Sequence, residues 1–298
     1  MATKKFRCKV CGYIHEGNKA PEKCPVCQAP ASEFELISGG GIDKNSNWYI
    51  ILYSTVMVVI VATLLAFTAL SLQKRQNENV LNEKKNAILK SLGEVDANGA
   101  VTKNYEEFIT AYAVDENGQT ITDVTPEQAL DMLFYLKDAF AANKYPVFRS
   151  ADGRYVLPVI GQGLWDVIWG YVALEADMNT VAGIVIDHKG ETPGLGAEIA
   201  TDKHQAQYVG KKIFEGKDFV SIKLKKGGAK PEDENFVHEV DAITGGTKTS
   251  DGVSAMLYDC LKNYLPFFEV VAAENAADEA TATDAAEVSN EQNVENNE

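Results

Sequence analysis

Four of the five cysteines stand at the spacing of a mononuclear metal site. Cys8 and Cys11 form one C-x-x-C pair, and Cys24 and Cys27 form a second. Because each short turn directs two sulfurs to a common centre, the pattern predicts four thiolates around one tetrahedral ion. A domain of fewer than about 40 residues usually needs a metal or disulfides to fold. The remaining Cys260 falls on the apolar face of a predicted helix, so we expect it to be a small core residue.

The second stretch with residue types suited to chemistry is Asp241-Ala-Ile-Thr-Gly-Gly-Thr-Lys-Thr-Ser250. It predicts a buried strand over Phe236–Ile243, a turn at the two glycines, and a helix that begins near Thr249 or Ser250. Glycines adopt positive φ without a Cβ penalty, and the free N–H groups of a helix N-terminus stabilise a phosphate. Taken alone, the stretch also fits an ordinary glycine turn followed by a Thr or Ser N-cap.

The length and charge of the chain limit how many domains can form and which segments can be ordered. The chain has 298 residues, of which 45% are apolar, so it can form one large domain or two smaller ones. Its net charge of −15 is distributed unevenly along the chain, because residues 272–298 include eight acidic residues and no basic one. We predict that 272–298 is a disordered, solubilising tail. No basic patch with interleaved aromatic residues occurs in the sequence, which argues against a nucleic-acid partner.

An uncharged run rich in Ile, Val, Leu and Ala extends from Trp48 to Leu72. At a rise of about 1.5 Å per residue, a helix of this length spans a hydrocarbon core of about 30 Å. The run is too long for a cleaved signal peptide, and it follows a predicted metal domain. Because it contains no ionisable residue, we expect this helix not to conduct ions. The predicted order is a metal domain over 1–38, a linker over 39–47, a transmembrane helix over 48–72 and a helical stalk over 73–97.

The remaining residues, 98–271, predict an α+β domain in which helices pack on an antiparallel sheet. One helix is predicted over Pro126–Ala142, with Thr125 as its N-cap. The closing helix is predicted over Ser250–Leu265. Short runs rich in β-branched and aromatic residues, between turn residues, predict the strands Tyr145–Phe148, Tyr155–Ile160, Tyr171–Leu174, Val181–Asp187, Phe219–Leu224 and Phe236–Ile243.

The N-terminal residues resemble a rubredoxin, in particular the short module of the rubrerythrin type. The resemblance rests on Cys8-x-x-Cys11-Gly-Tyr, on Cys24-Pro-x-Cys27 and on Phe34 after them. It implies one iron held by four cysteinyl sulfurs, which passes single electrons and can exchange them with a soluble redox partner. Gln28 departs from the glycine that many rubredoxins have there. A structural zinc ribbon is the alternative.

Three segments of the C-terminal half resemble a second family, namely Gly161–Trp165, His188–Gly196 and Asp241–Ser250. Together with the single span, they resemble the C subunit of the sodium-translocating NADH:quinone oxidoreductase, a family to which the G subunit of the Rnf ferredoxin complex is closely related. The resemblance covers about residues 45–270. It does not include the metal module or the acidic tail.

This resemblance implies that FMN is attached covalently, through a phosphoester to Thr247, by a flavin transferase. Gly246 replaces the alanine that is usual in the family, and we expect this replacement to be tolerated. Trp165 would cover the flavin ring, although packing in the core is the alternative for a tryptophan. The residues implied to bind or orient the cofactor are Asp241, Thr244, Gly245, Gly246, Lys248, Thr249, Glu191, Thr192, Leu195, Gly196, Leu164 and Trp165.

Two arguments about membrane orientation conflict. The lysines and arginines that follow the span outnumber Lys44 before it, so the count of positive charges favours a cytoplasmic C-terminal side. A cysteine metal site that folds in the reducing cytosol, together with the resemblance, favours the opposite orientation. We adopt the second argument and predict a single-pass inner-membrane protein with a cytoplasmic metal module and a periplasmic FMN domain.

The predicted function is that of an electron-carrying subunit of a membrane complex that oxidises NADH, reduces ubiquinone and exports sodium. Its predicted partners are the other subunits of the complex. No glycine-rich dinucleotide fingerprint follows a strand, so we do not expect the chain to bind NADH itself, and no set of residues suggests nucleophilic catalysis. The alternatives are an Rnf-type ferredoxin:NAD complex and a membrane sensor or scaffold with a zinc ribbon and no flavin.

Overall fold

A computed structural model describes residues 4–38 and 47–274. Most of the predicted linker and residues 275–298 of the predicted tail lie outside the described residues. The chain divides into two compact units, Met1–Glu78 and Asn79–Glu298. Each unit has its own source of stability.

The N-terminal module is a small antiparallel sheet built around its cysteines. Its strands are β1 (Lys4–Cys8), β2 (Ile14–Gly17) and β3 (Phe34–Ser38), and β1 lies between the other two. Among the side chains described in this module, only Cys8 and Cys24 are buried. Because the module has almost no apolar core, its folding must depend on the group that the cysteines bind.

One continuous helix, α1 (Asn47–Ser91), contains both the predicted span and the helical part of the predicted stalk. It has no proline or glycine that would kink it. Among the described residues, α1 is the one helix that is long and apolar enough to cross a membrane. Its most apolar stretch of 18 residues is fully exposed. Exposed apolar side chains over such a length are what a lipid-facing helix requires.

The C-terminal unit contains the predicted antiparallel sheet, which confirms the α+β class. Its strands follow one another in chain order as a five-stranded meander. The sequence did not predict the first of them, in which buried and exposed residues nevertheless alternate. The strands are β4 (Ile109–Val114), β5 (Tyr145–Ser150), β6 (Tyr155–Gln162), β7 (Val167–Leu174) and β8 (Val181–His188), and the short helix α2 (Tyr105–Phe108) leads into β4.

The prediction of a single helix over Pro126–Ala142 is wrong. The segment forms α3 (Pro126–Asp131), a 3-10 turn over Met132–Phe134 and α4 (Leu136–Ala141). A 3-10 turn aligns residues three apart, which places Leu130, Leu133 and Leu136 on one line, and all three are buried. The predicted cap is confirmed, because Thr125 and Gln128 form a reciprocal capping box.

Two predicted strands are also wrong. The segment Phe219–Leu224 is interrupted at Ser221, whose φ is 60°, so that it contributes to two different short pairs. The segment Phe236–Ile243 begins as a 3-10 turn and is a strand only over its middle residues. Hydrogen bonds from Lys211 Nζ to the Phe236 carbonyl and from His238 Nδ1 to the Lys212 carbonyl hold this turn away from the strand geometry. The short elements here are α5 (Asp202–Gln205), β9 (Phe214–Glu215), β10 (Asp218–Phe219), β11 (Lys223–Lys225) and β12 (Glu239–Asp241), with β11 and β12 parallel.

The closing helix α6 (Thr247–Lys262) begins at Thr247, earlier than the predicted Thr249 or Ser250. A further helical stretch covers 265–274, so the first three residues of the predicted acidic tail are helical. Helix α6 packs against one face of the sheet through side chains that include Val253, Leu257 and Leu261. Cys260 is buried there as predicted, and its Sγ donates a hydrogen bond of 3.2 Å to the Ile160 carbonyl.

The opposite face of the sheet is covered by the end of α1. Ile88, Leu89 and Leu92 are buried against Phe148 and Val156. Arg154 fixes this end of the helix, because its guanidinium donates to the Leu92 carbonyl at 2.6 Å and to Glu94 Oε1 at 2.8 Å. The sheet is therefore held between two apolar layers, one from α6 and one from α1.

We expect Leu89→Ala to destabilise the C-terminal domain by about 2–5 kcal/mol, because the side chain is 1% exposed and its removal leaves a cavity. The measurement is urea unfolding of the detergent-solubilised chain, followed by tryptophan fluorescence, to which Trp169 in the same layer contributes. Val80→Ala is the control on the same helix, because Val80 is 40% exposed. Equal losses for both variants would contradict the assigned packing.

Candidate functional site

The four clustered cysteines form a tetrahedral donor set. All four sulfurs lie within 4.8 Å of one another, with Cys8 Sγ and Cys27 Sγ 3.6 Å apart and Cys11 Sγ and Cys24 Sγ 3.5 Å apart. A tetrahedral ion with metal–sulfur bonds of about 2.3 Å requires sulfur–sulfur separations of roughly 3.8 Å. The residues therefore fit a single tetrahedral metal ion.

Two left-handed residues shape the cysteine turns. Gly12 has a φ of 77°, and its N–H donates to the Cys8 carbonyl at 2.9 Å. Gln28 occupies the equivalent position in the second turn, with a φ of 63° and a bond of 2.9 Å to the Cys24 carbonyl. The second turn thus keeps the geometry of the first, although a non-glycine residue in this conformation costs about 1–2 kcal/mol.

The charge of the thiols indicates that the set needs a cation. The backbone N–H of Ala29 lowers the pKa of Cys27, but burial and the neighbouring thiols outweigh it and raise the pKa to about 12. For Cys24, by contrast, burial would raise the pKa, but hydrogen bonds from the backbone and from Cys11 and Cys27 outweigh it and lower the pKa to about 7. Four thiolates this close together repel one another, so a bound cation stabilises the fully ionised set.

The second candidate site is the turn between β12 and α6. Gly245 has a φ of 76°, and the N–H of Gly246 donates to the Ile243 carbonyl at 3.0 Å. Ser250 closes the turn, because its Oγ donates to the Gly246 carbonyl and accepts from the Ile243 N–H, each at 3.0 Å. Ser250 is thus not the predicted N-cap. Its side chain instead stabilises the turn from inside the first turn of α6.

Helix α6 presents an open N-terminus. Its N-cap is Gly246, which has no side chain to occupy the N–H groups of the first turn. Thr247 and Lys248 are exposed there, whereas Thr249 is 1% exposed. Of the three residues, Thr247 offers an accessible hydroxyl at the positive end of a 16-residue helix, which is a suitable position for a phosphate.

Two loops flank this turn with exposed apolar side chains. Leu164 and Trp165 in the loop after β6 are 53% and 67% exposed, so the alternative that Trp165 packs in the core is excluded. Leu195, in the loop after β8, is 42% exposed and packs beside Gly245, where a Cβ would lie 2.7 Å from Leu195 Cδ2. The exposed Thr192 closes its own loop, because its carbonyl accepts from the N–H groups of Leu195 and Ala197.

Glu191 joins all three segments. Its carboxylate is buried, accepts the N–H of Trp165 at 2.9 Å and accepts the hydroxyl of Thr249 at 2.6 Å. Burial alone would raise the pKa of Glu191, but the hydrogen bonds from Thr249 and from the backbone of the Trp165 loop outweigh it and lower the pKa. His188 supports the same loop, because its Nδ1 accepts the N–H of Glu191 at 3.3 Å.

Glycines allow these segments to approach closely. A Cβ on Gly163 would collide with Glu191 Oε1, and a Cβ on Gly196 would lie 2.5 Å from Glu191 Oε2. A Cβ on Gly252 within α6 would collide with the Gln162 carbonyl. The sequence pattern did not predict a role for Gly163 or Gly252 themselves, although a glycine inside a helical segment is a signal of close packing.

Asp241 and Thr244 lie on the strand side of the turn. Asp241 Oδ1 accepts the N–H of Ala229 at 2.8 Å, and its own N–H donates to Gln207 Oε1 at 3.0 Å. Thr244 is exposed and lines an open cavity of about 400 Å³ with Asp241, Gly194 and His204. Both residues are therefore adjacent to the turn but separate from the contacts of Glu191.

Two family models match the chain at these sites. The rubredoxin-like domain of rubrerythrin matches residues 6–35, and the FMN-binding domain matches residues 163–262. The first range contains the four cysteines, and the second contains the β6 loop, the β8 loop and the turn before α6.

Longer similarities extend beyond these domains. The C subunit of the Na(+)-translocating NADH-quinone reductase of Pseudomonas aeruginosa is 31% identical over 239 residues, which is 72% of this chain and 92% of that protein. The same subunit from Vibrio vulnificus is 34% identical over 230 residues, or 70% of this chain and 87% of that protein. The crystal structure of the Parabacteroides distasonis homologue of this subunit superposes with a TM-score of 0.57 at 36% identity, covering 66% of this chain and 96% of the other. That of Shewanella oneidensis NqrC gives 0.53 at 26% identity, covering 65% and 98%.

The two glycines of the turn should differ in their tolerance of alanine. Gly245→Ala should cost about 1–2 kcal/mol, because its φ of 76° is left-handed and the new Cβ meets Leu195. Gly246→Ala should be nearly neutral, because its φ is −109° and its Cβ would lie 3.0 Å from the Ile243 side chain, so that the reduced freedom of the unfolded chain offsets the tight contact. Urea unfolding of both variants checks the order, and a larger loss for Gly246→Ala would contradict it.

Proposed function

Because the chain belongs to the family of the C subunit of the Na(+)-translocating NADH-quinone reductase, we propose that it is a membrane-anchored electron carrier with covalently bound FMN. The observation that carries the proposal is the exposed Thr247 hydroxyl at the uncapped N-terminus of α6. Exposed Leu164, Trp165 and Leu195 flank the same turn. A phosphate and a flat apolar ring have complementary surfaces there.

In this proposal, a flavin transferase would join the Thr247 oxygen to the FMN phosphate of a flavin donor, with loss of the hydroxyl proton and of the donor's leaving group. The first-turn N–H groups of α6 would stabilise the phosphate charge. Lys248 is exposed beside it and adds a counter-charge. FMN supplies the electron transfer, and the protein places the ring and sets its surroundings. The buried Thr249 hydroxyl is already bonded to Glu191, which makes it unsuitable as the acceptor.

We propose that the N-terminal cysteines hold iron, as in rubredoxins, and that this centre exchanges single electrons with a soluble redox protein. The tetrahedral set of sulfurs supports a mononuclear site, and zinc is the alternative metal. Single-electron transfer suits an exposed site, and Cys11 is the exposed ligand.

The proposed location is the inner membrane, crossed once by α1, with the metal module in the cytoplasm and the FMN domain in the periplasm. A reducing compartment keeps the cysteines available for metal. A covalent tether keeps flavin at high effective concentration where a dissociable cofactor would be lost by dilution. A hydrocarbon core of about 30 Å would separate a cytoplasmic iron from a periplasmic flavin, so this proposal requires other subunits to carry electrons across the membrane.

Thr247→Val should abolish covalent flavin, and Thr249→Val should retain it. The measurement is in-gel flavin fluorescence of the denatured protein, made in a host that supplies the flavin transferase. The two substitutions remove one hydroxyl each, two residues apart, so the chemical change is the same in both variants. A fluorescent Thr247→Val band would move the acceptor, and a dark wild-type band would refute covalent attachment.

Cys11→Ser should greatly reduce the bound metal, whereas Cys260→Ser should retain it, because Cys260 is buried against Ile160 far from the cysteine cluster in sequence. Metal analysis and the visible spectrum of protein purified without oxygen from iron-replete cells measure this. We expect one iron per wild-type chain and a coloured ferric site. A colourless protein with one zinc would exclude the electron-transfer role of the module.

A further inference from the structure

We propose that Glu191 is a positioning residue: its carboxylate holds the two ring-contacting loops at a fixed distance from the helix turn that presents Thr247. This inference rests on the proposed function. Glu191 itself is directed into the protein and contacts the supporting segments, so its role is to act through Trp165 and Thr249.

The loop after β6 is organised around this carboxylate. The N–H of Trp165 donates to Oε1 at 2.9 Å, and the backbone of Leu164 and Asp166 lies close enough to help lower the pKa of Glu191. Successive N–H groups that converge on one anion fix the backbone of a turn. The exposed side chains of Leu164 and Trp165 are consequently carried by a backbone that Glu191 orders.

The second carboxylate oxygen bonds to the helix. Thr249 lies in the first turn of α6, and its hydroxyl donates to Oε2 at 2.6 Å. A bond from a hydroxyl to a buried carboxylate is among the stronger hydrogen bonds in proteins. Thr249 is only two residues from Thr247, so the position of the acceptor relative to the loop follows from this bond.

Two glycines pack closely against the Glu191 carboxylate. Gly163 and Gly196 approach Glu191 so closely that a Cβ on either would collide with its oxygens. No ion pair within the described residues involves Glu191, and the charged neighbours Asp166 and Lys189 pair with each other at 3.2 Å. The negative charge of Glu191 is therefore stabilised by the Trp165 N–H and the Thr249 hydroxyl.

Two substitutions separate the effect of the hydrogen bond from the effect of the negative charge. Thr249→Val keeps the shape of the side chain and removes its hydrogen bond to Glu191, so it loosens the turn without changing the charge. Glu191→Gln keeps the shape and removes the negative charge. Because reduction adds negative charge to a flavin, the loss of this carboxylate should make reduction more favourable.

The first experiment is hydrogen exchange of the full chain in detergent, which does not depend on the cofactor. In Thr249→Val and Glu191→Ala, the hydrogen-bonded amides of Gly163, Trp165 and Ser250 should exchange about 10- to 100-fold faster, as expected for the loss of a hydrogen bond to a charged group. Thr249→Ser should restore wild-type exchange, because serine keeps the hydroxyl. Glu175→Gln is the control, an exposed glutamate that directly follows β7 at the end of the strand away from the Trp165 loop.

The second experiment uses the flavin-loaded chains. We expect Thr249→Val to increase flavin fluorescence and lower its anisotropy, because Trp165 no longer holds and quenches the ring, and Thr249→Ser to reverse this. We expect Glu191→Gln to raise the midpoint potential and Glu175→Gln to leave it unchanged. Unchanged exchange in Thr249→Val and Glu191→Ala, or an unchanged potential in Glu191→Gln, would overturn the inference. If the wild-type protein carried no covalent flavin, but the variants still exchanged faster than wild type as predicted, the proposed function alone would be refuted.

Discussion

The buried carboxylate of Glu191 is the constraint on which the candidate flavin site depends. It connects residues 26 positions earlier and 58 positions later in the chain through hydrogen bonds to the Trp165 N–H and the Thr249 hydroxyl. Because the pKa is lowered in the folded state, the stabilisation from this carboxylate is complete above the ordinary glutamate pKa and is lost only as the pH falls through the lower folded value. At neutral pH the three segments are held together by a permanent charge.

Rigid elements support this small network from behind. Helix α6 lies close to β6, because Gly161 and Gly252 allow contacts in which a Cβ on either residue would collide with its neighbour. Further along the helix, Cys260 bonds to the backbone of Ile160. The sheet is fixed in turn by the end of α1 on its other face. The exposed Thr247 is thus at the end of a helix that packs on the core. This packing gives a surface residue a defined position.

The sequence predicted the parts of this structure that depend on local chemistry. Cysteine spacing predicted the metal set, Thr125 predicted a helix cap, and the paired glycines predicted the turn before α6. It failed where tertiary contacts override local preference. Hydrogen bonds from Lys211 and His238 hold residues 236–238 out of a strand, and the non-helical backbone of Tyr135, with φ of −136°, ends the helix that periodicity favoured. The role of Glu191 needed the fold, because nothing in a loop sequence reveals that its carboxylate meets Thr249.

The two units are stabilised in different ways, and this difference suits their proposed tasks. The C-terminal domain gains its stability from two apolar layers, so its surface turn can be modified while the core stays intact. The N-terminal module buries only Cys8 and Cys24 among its described side chains, so its folding depends on the group that the four cysteines bind. Its backbone turns at Gly12 and Gln28 position the cysteines, and the metal in turn holds those turns. A centre built this way loses its fold when it loses its ion, so the proposed electron transfer and the folding of the module depend on the same four sulfurs.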